Sequence, residues 1–190
     1  MAALMIWETE ADRGQTWTER ERPSSTGPST VAPPRACTSL VEIAREAANA
    51  VRRLGDEPRV AFLSYSTFGH PPGERAARVR EAVAMMDQLG DLDFEYDGEM
   101  PPDLALDPWL RGNYPFMRLT DAANVLIMPA IHSASISTKL VQSLGAATVL
   151  GPLLLGLSRP VQICPLSASV SQILNMATFA AYDVRARTPA

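Results

Sequence analysis

Two short runs of apolar residues constrain the fold of this chain more than any other feature. Residues 60–63 and 125–128 contain only Val, Ala, Phe, Leu, Ile or Met, and helical patterns lie between and after these runs. Strands that are apolar throughout are typical of a parallel sheet whose two faces are both covered by helices. The sequence therefore predicts an α/β fold, a three-layer α/β/α sandwich with a mainly parallel sheet.

The other elements are predicted from helical spacing and from helix-start signals. Ser39 with Glu42, and Ser169 with Gln172, form capping-box patterns that predict a helix starting at each serine. A further helix is predicted at 133–144, with its apolar side chains facing inwards. The remaining predictions are a helix at 74–89, strands at 59–63, 93–96, 124–129, 147–150 and 160–164, and one helical turn near 107–110.

The loop after the first predicted strand is rich in hydroxyl groups. Ser64, Ser66 and Thr67 lie within four positions, and Gly69 permits a positive φ. Ligands of parallel sheets bind at the carboxyl ends of strands, and the next helix would bring its N-terminus close to this loop. A plain polar turn and a binding loop for an anionic group both fit this pattern, and the spacing alone favours the turn.

Composition excludes several classes of function. The chain has 190 residues and a net charge of −4, with Lys139 as its only lysine, so it offers no basic patch for nucleic acid. Cys37 and Cys164 lack metal-ligand spacing, and two histidines cannot form a His-rich metal site. The most apolar window, 144–157, is too short to span a membrane, and we see no signal peptide, so we expect a soluble, cytoplasmic protein without nucleic-acid or membrane partners.

The N-terminal segment differs in composition from the rest of the chain. Residues 8–21 are charged and irregular, and residues 22–35 consist mostly of Pro, Ser, Thr and Gly. Neither part has a helical or alternating period, which predicts a disordered leader over residues 1–37. One domain is then expected over residues 38–187.

Several segments, in order, resemble a known family. They are Val60-Ala-Phe-Leu-Ser-Tyr-Ser-Thr-Phe-Gly69, Asp97-Gly-Glu-Met100, Ala123-Asn-Val-Leu-Ile-Met-Pro129 and Leu150-Gly-Pro-Leu-Leu-Leu-Gly-Leu157. Their order and spacing are similar to those of the phosphate acetyl/butyryl transferase family. Leu154-Leu155-Gly156 and Asn175-Met176 resemble the version found in the transferase-like C-terminal domain of bacterial NADP-dependent malic enzymes. The resemblance covers residues 39–184, while the first lobe of a transferase is missing.

The resemblance implies an α/β lobe that helps to form a cleft for coenzyme A and for phosphate or an acyl phosphate. Ser64, Ser66, Thr67 and Gly69 match the hydroxyl-rich loop of the family and are the predicted acyl-CoA or phosphate-binding residues. Coenzyme A or acetyl-CoA is thus the expected ligand, and no other cofactor and no metal is implied. The family also pairs through this lobe, so the resemblance suggests a homo-oligomer, a dimer.

The chain departs from the family at the positions that carry chemistry. Where the transferases place a Ser-Arg pair and later an Asp, this chain has Pro165, Leu166 and Gln172. A phosphate and a developing thiolate both need a positive partner, and an amide cannot act as a carboxylate base. No catalytic residue is therefore predicted. The residues after Pro129 also differ from the family; they are Ala130, His132, Ser135 and Thr138.

Other reactive residues have simpler explanations than catalysis. His132 could act as a base, but a lone His at a helix start is more often a surface or capping residue. Cys164 could attack as a thiolate, but a buried inert thiol is the better interpretation because no cation is predicted beside it. Asp97 and Glu99 are predicted to structure a loop, and Lys139 to lie on a solvated helix face.

Three functions follow from these observations. The first is a non-catalytic module of malic-enzyme type that binds acyl-CoA, regulates and assembles oligomers. The second is an acyltransferase that moves an acetyl group between coenzyme A and phosphate. The third is a remnant fragment of an NADP-dependent malic enzyme, which would lack the oxidative reaction because no dinucleotide-binding fingerprint is present.

Overall fold

A central three-stranded sheet organises the chain. The computed structural model describes residues 35–187 except residues 91, 145–148, 156 and 158. The elements are α1 (Arg35–Arg53), β1 (Arg59–Leu63), α2 (Glu74–Leu89), β2 (Glu95–Met100), α3 (Pro102–Leu106), a 3-10 turn (Leu110–Asn113), β3 (Val125–Ile127), α4 (Ile131–Ser143) and α5 (Val170–Arg187).

The sheet is parallel, in the order β2-β1-β3, and both of its faces are covered. Side chains alternate along β1, so Val60 and Phe62 pack under α1 and α2 in the larger core. Ala61 and Leu63 face the opposite side, where they contact a second core built around Met100, α3 and the chain that follows it. The predicted α/β fold with a parallel sheet between two covering layers is thereby confirmed.

Asn124 fixes the start of β1 against the start of β3. Its side-chain Oδ1 accepts a hydrogen bond from the N–H of Arg59 at 2.7 Å, and its Nδ2 donates to the carbonyl of Glu57 at 2.8 Å. Asn124 is buried, so both of these backbone groups would lose their partner if the amide were removed.

The boundaries of β1 and α2 are confirmed, whereas β2 lies later than predicted. β2 runs over Glu95–Met100 instead of 93–96, because the carboxylates that made 97–100 resemble a loop are hydrogen-bonded inside the protein. The helical turn predicted near 107–110 lies slightly later, as the 3-10 turn, and α3 was not predicted.

The strand predicted at 160–164 is wrong. This segment is irregular, and Val161 and Ile163 are about half exposed. The side chain of Gln162 makes the local contacts instead: it accepts from the N–H of Leu154 at 3.0 Å and donates to the Leu154 carbonyl at 3.1 Å. A side-chain amide thus occupies backbone groups that a neighbouring strand would need. Residues 149–150 are not a strand either, and 147–148 lie outside the described residues.

The two ends of the described chain also differ from the prediction. Helix α1 begins at Arg35 and passes through Ser39, so Ser39 is not its first residue, and Cys37 is buried in the core. The predicted leader otherwise lies outside the described residues. The inward face predicted for α4 is wrong, because Ile136, Leu140 and Leu144 are exposed and Ala134 is the only buried residue of this helix.

Candidate functional site

The hydroxyl-rich loop leaves the carboxyl end of β1 and is tied to the end of β2. The N–H of Ser64 donates to the carbonyl of Met100 at 2.9 Å, and the N–H of Phe68 donates to the carbonyl of Glu99 at 2.9 Å. Within the loop, the backbones of Thr67 and His70 bond to each other in both directions, at 2.8 and 3.1 Å. These bonds hold the loop in one shape at the sheet edge where ligands of α/β folds bind.

Two consecutive residues of the loop have positive φ. Phe68 has φ +45° and Gly69 has φ +102°. Glycine adopts such angles at little cost, but a non-glycine residue with positive φ is uncommon and persists only when its surroundings hold it there. The ring of Phe68 supplies part of that support, because it packs edge-on against Phe116 with 5.0 Å between the ring centroids.

The side chain of Glu99 lies under this loop and is completely buried. Its Oε1 accepts two hydrogen bonds, one from the N–H of Gly69 at 3.0 Å and one from Nη1 of Arg80 at 2.7 Å. Its Oε2 has no hydrogen-bond partner. A protein carboxylate therefore already occupies the N–H of Gly69, and any bound anion must use other donors of the loop.

Arg80 brings a positive charge to the loop. It extends from α2, and its side chain is 38% exposed while its ion-pair partner Glu99 is fully buried. The guanidinium is thus anchored at one nitrogen and still reaches solvent. An arginine held in this way is suited to contact an anionic group. Nothing in the linear sequence distinguishes Arg80 from the other arginines of α2.

The four predicted binding residues are neighbours in space, but they do not all face the same way. Ser66 is fully buried and its Oγ has no hydrogen-bond partner, while its N–H donates to Oγ of Ser64 at 3.4 Å. Ser64, Thr67 and Gly69 are each partly exposed. The hydroxyls within reach of a ligand are consequently those of Ser64 and Thr67.

Asp97 lies within β2 instead of in the predicted loop, and its carboxylate binds two backbone N–H groups. Its Oδ1 accepts from the N–H of Gly98 at 2.9 Å, and its Oδ2 accepts from the N–H of Arg118 at 2.7 Å. Burial raises the pKa of Asp97, while these two N–H bonds act in the opposite direction. Gly98 has φ +151°, and a Cβ added there would lie 2.7 Å from the Cβ of Phe62, so only glycine fits.

Residues 164–172 contain the positions where the resembled transferases place their catalytic residues. In this chain they end in a helix cap at the start of α5. The N–H of Ser169 donates to Oε1 of Gln172 at 2.8 Å, and the N–H of Gln172 donates back to Oγ of Ser169 at 3.3 Å. The predicted capping box is confirmed. Cys164 is a free, half-buried thiol, and the Leu166 side chain just after it is fully exposed.

The remaining candidates lie on the surface. His132 and Lys139 are both exposed on α4. Within residues 35–187, outside the gaps given above, no group of three or more His, Cys, Asp or Glu side chains could hold a metal ion. The same part of the chain contains no helix that is long and apolar enough to cross a membrane.

Comparison with known proteins decides the family. The family model described as phosphate acetyl/butaryl transferase matches residues 27–181. The chain belongs to this family. An NADP-dependent malic enzyme of Rhizobium meliloti is 58% identical over 144 residues, which are 76% of this chain and 19% of that protein. A phosphate acetyltransferase of Paracoccus denitrificans is 36% identical over 148 residues, 77% of this chain and 46% of that protein.

A solved structure confirms the same relationship. The EutD phosphotransacetylase from Staphylococcus aureus superimposes with a TM-score of 0.72 and 31% identity, covering 81% of this chain and 48% of that one. The resemblance to transferases and to the malic-enzyme domain is therefore confirmed. This member of the phosphate acetyl/butyryl transferase family spans about one fifth of the malic enzyme and just under half of each transferase.

Proposed function

We propose that this chain is a non-catalytic module that binds acetyl-CoA or a related acyl-CoA, and that it works in regulation and oligomer assembly. The observation that carries the proposal is the use of Gln172. At the position where the resemblance places a catalytic Asp, the side chain of Gln172 caps α5 through Ser169. An amide in that role can neither accept a proton as a base nor stabilise a positive charge.

The binding part of the proposal rests on the loop after β1. The loop is fixed by Glu99 and Met100 and contains the partly exposed Ser64 and Thr67, and the guanidinium of Arg80 lies beside its residue Gly69. Hydroxyl and guanidinium groups are the donors that phosphate groups of coenzyme A would need. A preformed loop also lowers the entropic cost of binding.

Calorimetric titration of the full chain with acetyl-CoA tests this proposal. We expect saturable heat that is weakened by Thr67→Val, because the substitution removes a hydroxyl and keeps the shape. Arg78→Gln is the control. Arg78 lies on α2, as Arg80 does, but it pairs with Glu74 on the surface and does not contact the loop residues Ser64 to Gly69 in any contact described above. The absence of heat at millimolar acetyl-CoA, or equal loss in both variants, would contradict the proposal.

Acyl transfer is the second candidate function, because the relative from Paracoccus denitrificans is named a phosphate acetyltransferase. Acetyl phosphate and coenzyme A would be supplied, and the thioester product followed by its absorbance. The proposal expects no turnover above background. Turnover that disappears with Thr67→Val and persists with Arg78→Gln would favour the transferase.

The assembly part of the proposal is a homodimer, and the proposed location is the cytoplasm. The two free cysteines, Cys37 and Cys164, are compatible with a reducing compartment. Sedimentation equilibrium measures the assembly directly, and a monomer at all concentrations would contradict it.

A further inference from the structure

Three aromatic side chains form a cluster beside the candidate loop. Phe68, from the loop itself, packs edge-on against Phe116, with 5.0 Å between the ring centroids and 74° between the ring planes. Tyr114 lies next to both, at 5.9 Å from Phe68 and 6.1 Å from Phe116. We call Phe68, Tyr114 and Phe116 the aromatic cluster. Tilted and edge-on contacts are the arrangements that aromatic pairs prefer, so these contacts hold the three rings in fixed orientations.

The three rings differ in how far they are buried. Phe68 and Tyr114 are partly buried and pack against the second core. Phe116 belongs to neither core and is 63% exposed. Its ring is thus held by two other rings, while most of its surface stays open to solvent. A rigid aromatic side chain of this kind is suited to contact a planar group of a ligand.

A positive charge lies next to the aromatic cluster. A Cβ added at Gly69, the residue after Phe68, would lie 3.7 Å from Nη1 of Arg80. That nitrogen donates to Glu99, and the Arg80 side chain is 38% exposed, so the guanidinium keeps further N–H donors for an anion. The exposed ring and the partly exposed guanidinium therefore lie beside two consecutive residues of the loop.

This pair of groups distinguishes between the two ends of an acyl-CoA. The nucleotide end carries an adenine base and, on the ribose joined to it, phosphate groups. Aromatic side chains stack on such bases, and a guanidinium binds phosphate through several N–H donors. The acyl end carries an uncharged thioester on a flexible pantetheine arm, which has neither a planar ring to stack nor a negative charge to pair. The aromatic cluster and Arg80 together match the nucleotide end.

We propose that Phe116 stacks on the adenine base of an acyl-CoA whose phosphate groups contact Arg80, an inference that rests on the acyl-CoA binding proposed above. The loop after β1 then recognises the carrier and not the acyl group. This part of the site would consequently bind acyl-CoAs with different acyl groups equally well.

Calorimetric titration with ADP tests the assignment, because ADP carries the base and the diphosphate of coenzyme A without the pantetheine arm. Phe116→Leu keeps an apolar side chain and removes the ring, and we expect it to weaken ADP binding to the full chain about tenfold. Trp109→Leu is the matched control, since Trp109 is 79% exposed on the same connection between β2 and β3 but lies outside the aromatic cluster. It should leave the affinity for ADP unchanged.

Fluorescence separates stacking on the base from support of the loop. In Phe116→Trp, the introduced indole should bind ADP at least as tightly as the original ring, and the stacked base should quench its fluorescence during the titration. The unsubstituted chain should show no such quenching, because Trp109 lies outside the aromatic cluster. Phe116 belongs to neither core, so both variants at this position should remain folded, which circular dichroism measures.

The outcomes separate this inference from the proposal on which it rests. If the chain binds acetyl-CoA but not ADP, or if Phe116→Leu binds ADP as the unsubstituted chain does, the nucleotide subsite is overturned while acyl-CoA binding stands. Weaker binding by Phe116→Leu without quenching in Phe116→Trp would mean that the ring only supports the loop, and would also overturn the subsite. Binding of ADP with quenching, but no binding of acetyl-CoA, would overturn the proposed function and leave a nucleotide subsite. If neither ligand binds, both are overturned.

Discussion

The ion pair between Arg80 and Glu99 gives the most discriminating test of how the candidate loop is held. The two partners differ sharply in exposure, since the Glu99 side chain is fully buried and the Arg80 side chain is 38% exposed. Removing either charge breaks the same 2.7 Å contact. The group left behind differs between the two variants, so the expected loss of unfolding free energy differs as well.

In Arg80→Gln, the charge left behind is a carboxylate with no access to water. Breaking a buried pair in this way costs about 3–5 kcal/mol of unfolding free energy. In Glu99→Gln, the amide oxygen can still accept from the N–H of Gly69, and Arg80 can turn towards solvent. The loss should be nearer 2 kcal/mol, the value of one charge-assisted hydrogen bond.

Urea unfolding followed by circular dichroism measures both losses, and Arg78→Gln serves as the control for a surface pair. Arg78 and Glu74 are exposed, so this control should change stability by less than about 1 kcal/mol. The double variant Arg80→Gln with Glu99→Gln should be more stable than Arg80→Gln alone, because it removes the uncompensated carboxylate. If Glu99→Gln proved as costly as Arg80→Gln, the argument from unequal burial would be refuted.

Three further predictions follow from the contacts around the sheet. Gly98→Ala should destabilise the protein by about 3 kcal/mol in thermal unfolding, because it combines an unfavourable positive φ with a 2.7 Å contact to Phe62; an unchanged Tm would contradict this. Asn124→Ala should cost about 2–3 kcal/mol, since it leaves two buried backbone groups unpaired, and Asn124→Asp should recover part of that loss. Burial and a hydrogen bond to Asp87 raise the pKa of Tyr96 to about 12. Tyr96 therefore contributes stability that is present below about pH 10 and lost as the pH rises towards 12, a loss that Tyr96→Phe should abolish in alkaline urea titrations.

The elements that local pattern determines were predictable from the sequence. β1 and α2 have the bounds that were predicted. A short apolar run after Pro58 is typical of a buried strand, and Gly90 ends α2 in the left-handed conformation. The capping box at Ser169 and Gln172 was predictable for the same reason, since both hydrogen bonds join residues three apart. In each case the residues that determine the structure are close to one another in the sequence.

The internal arrangement of the candidate site was not predictable in this way. Gly69 and Glu99 are 30 positions apart, and their hydrogen bond exists only because β1 and β2 lie side by side. The hydroxyl loop therefore suggested an open anion site, while the structure supplies a carboxylate from the neighbouring strand. Ser66 likewise faces inwards, which no spacing rule within the loop could show.

The inward face predicted for α4 is wrong, and the reason is physical. A helical apolar pattern predicts that a face is buried, but it does not say whether the same chain or another chain buries it. Apolar residues of α1 and α2 are buried in the larger core, whereas Ile136 and Leu140 on α4 remain exposed. If the pattern is as informative on α4 as it is on α1 and α2, the apolar face of α4 requires a covering surface that the described residues do not provide.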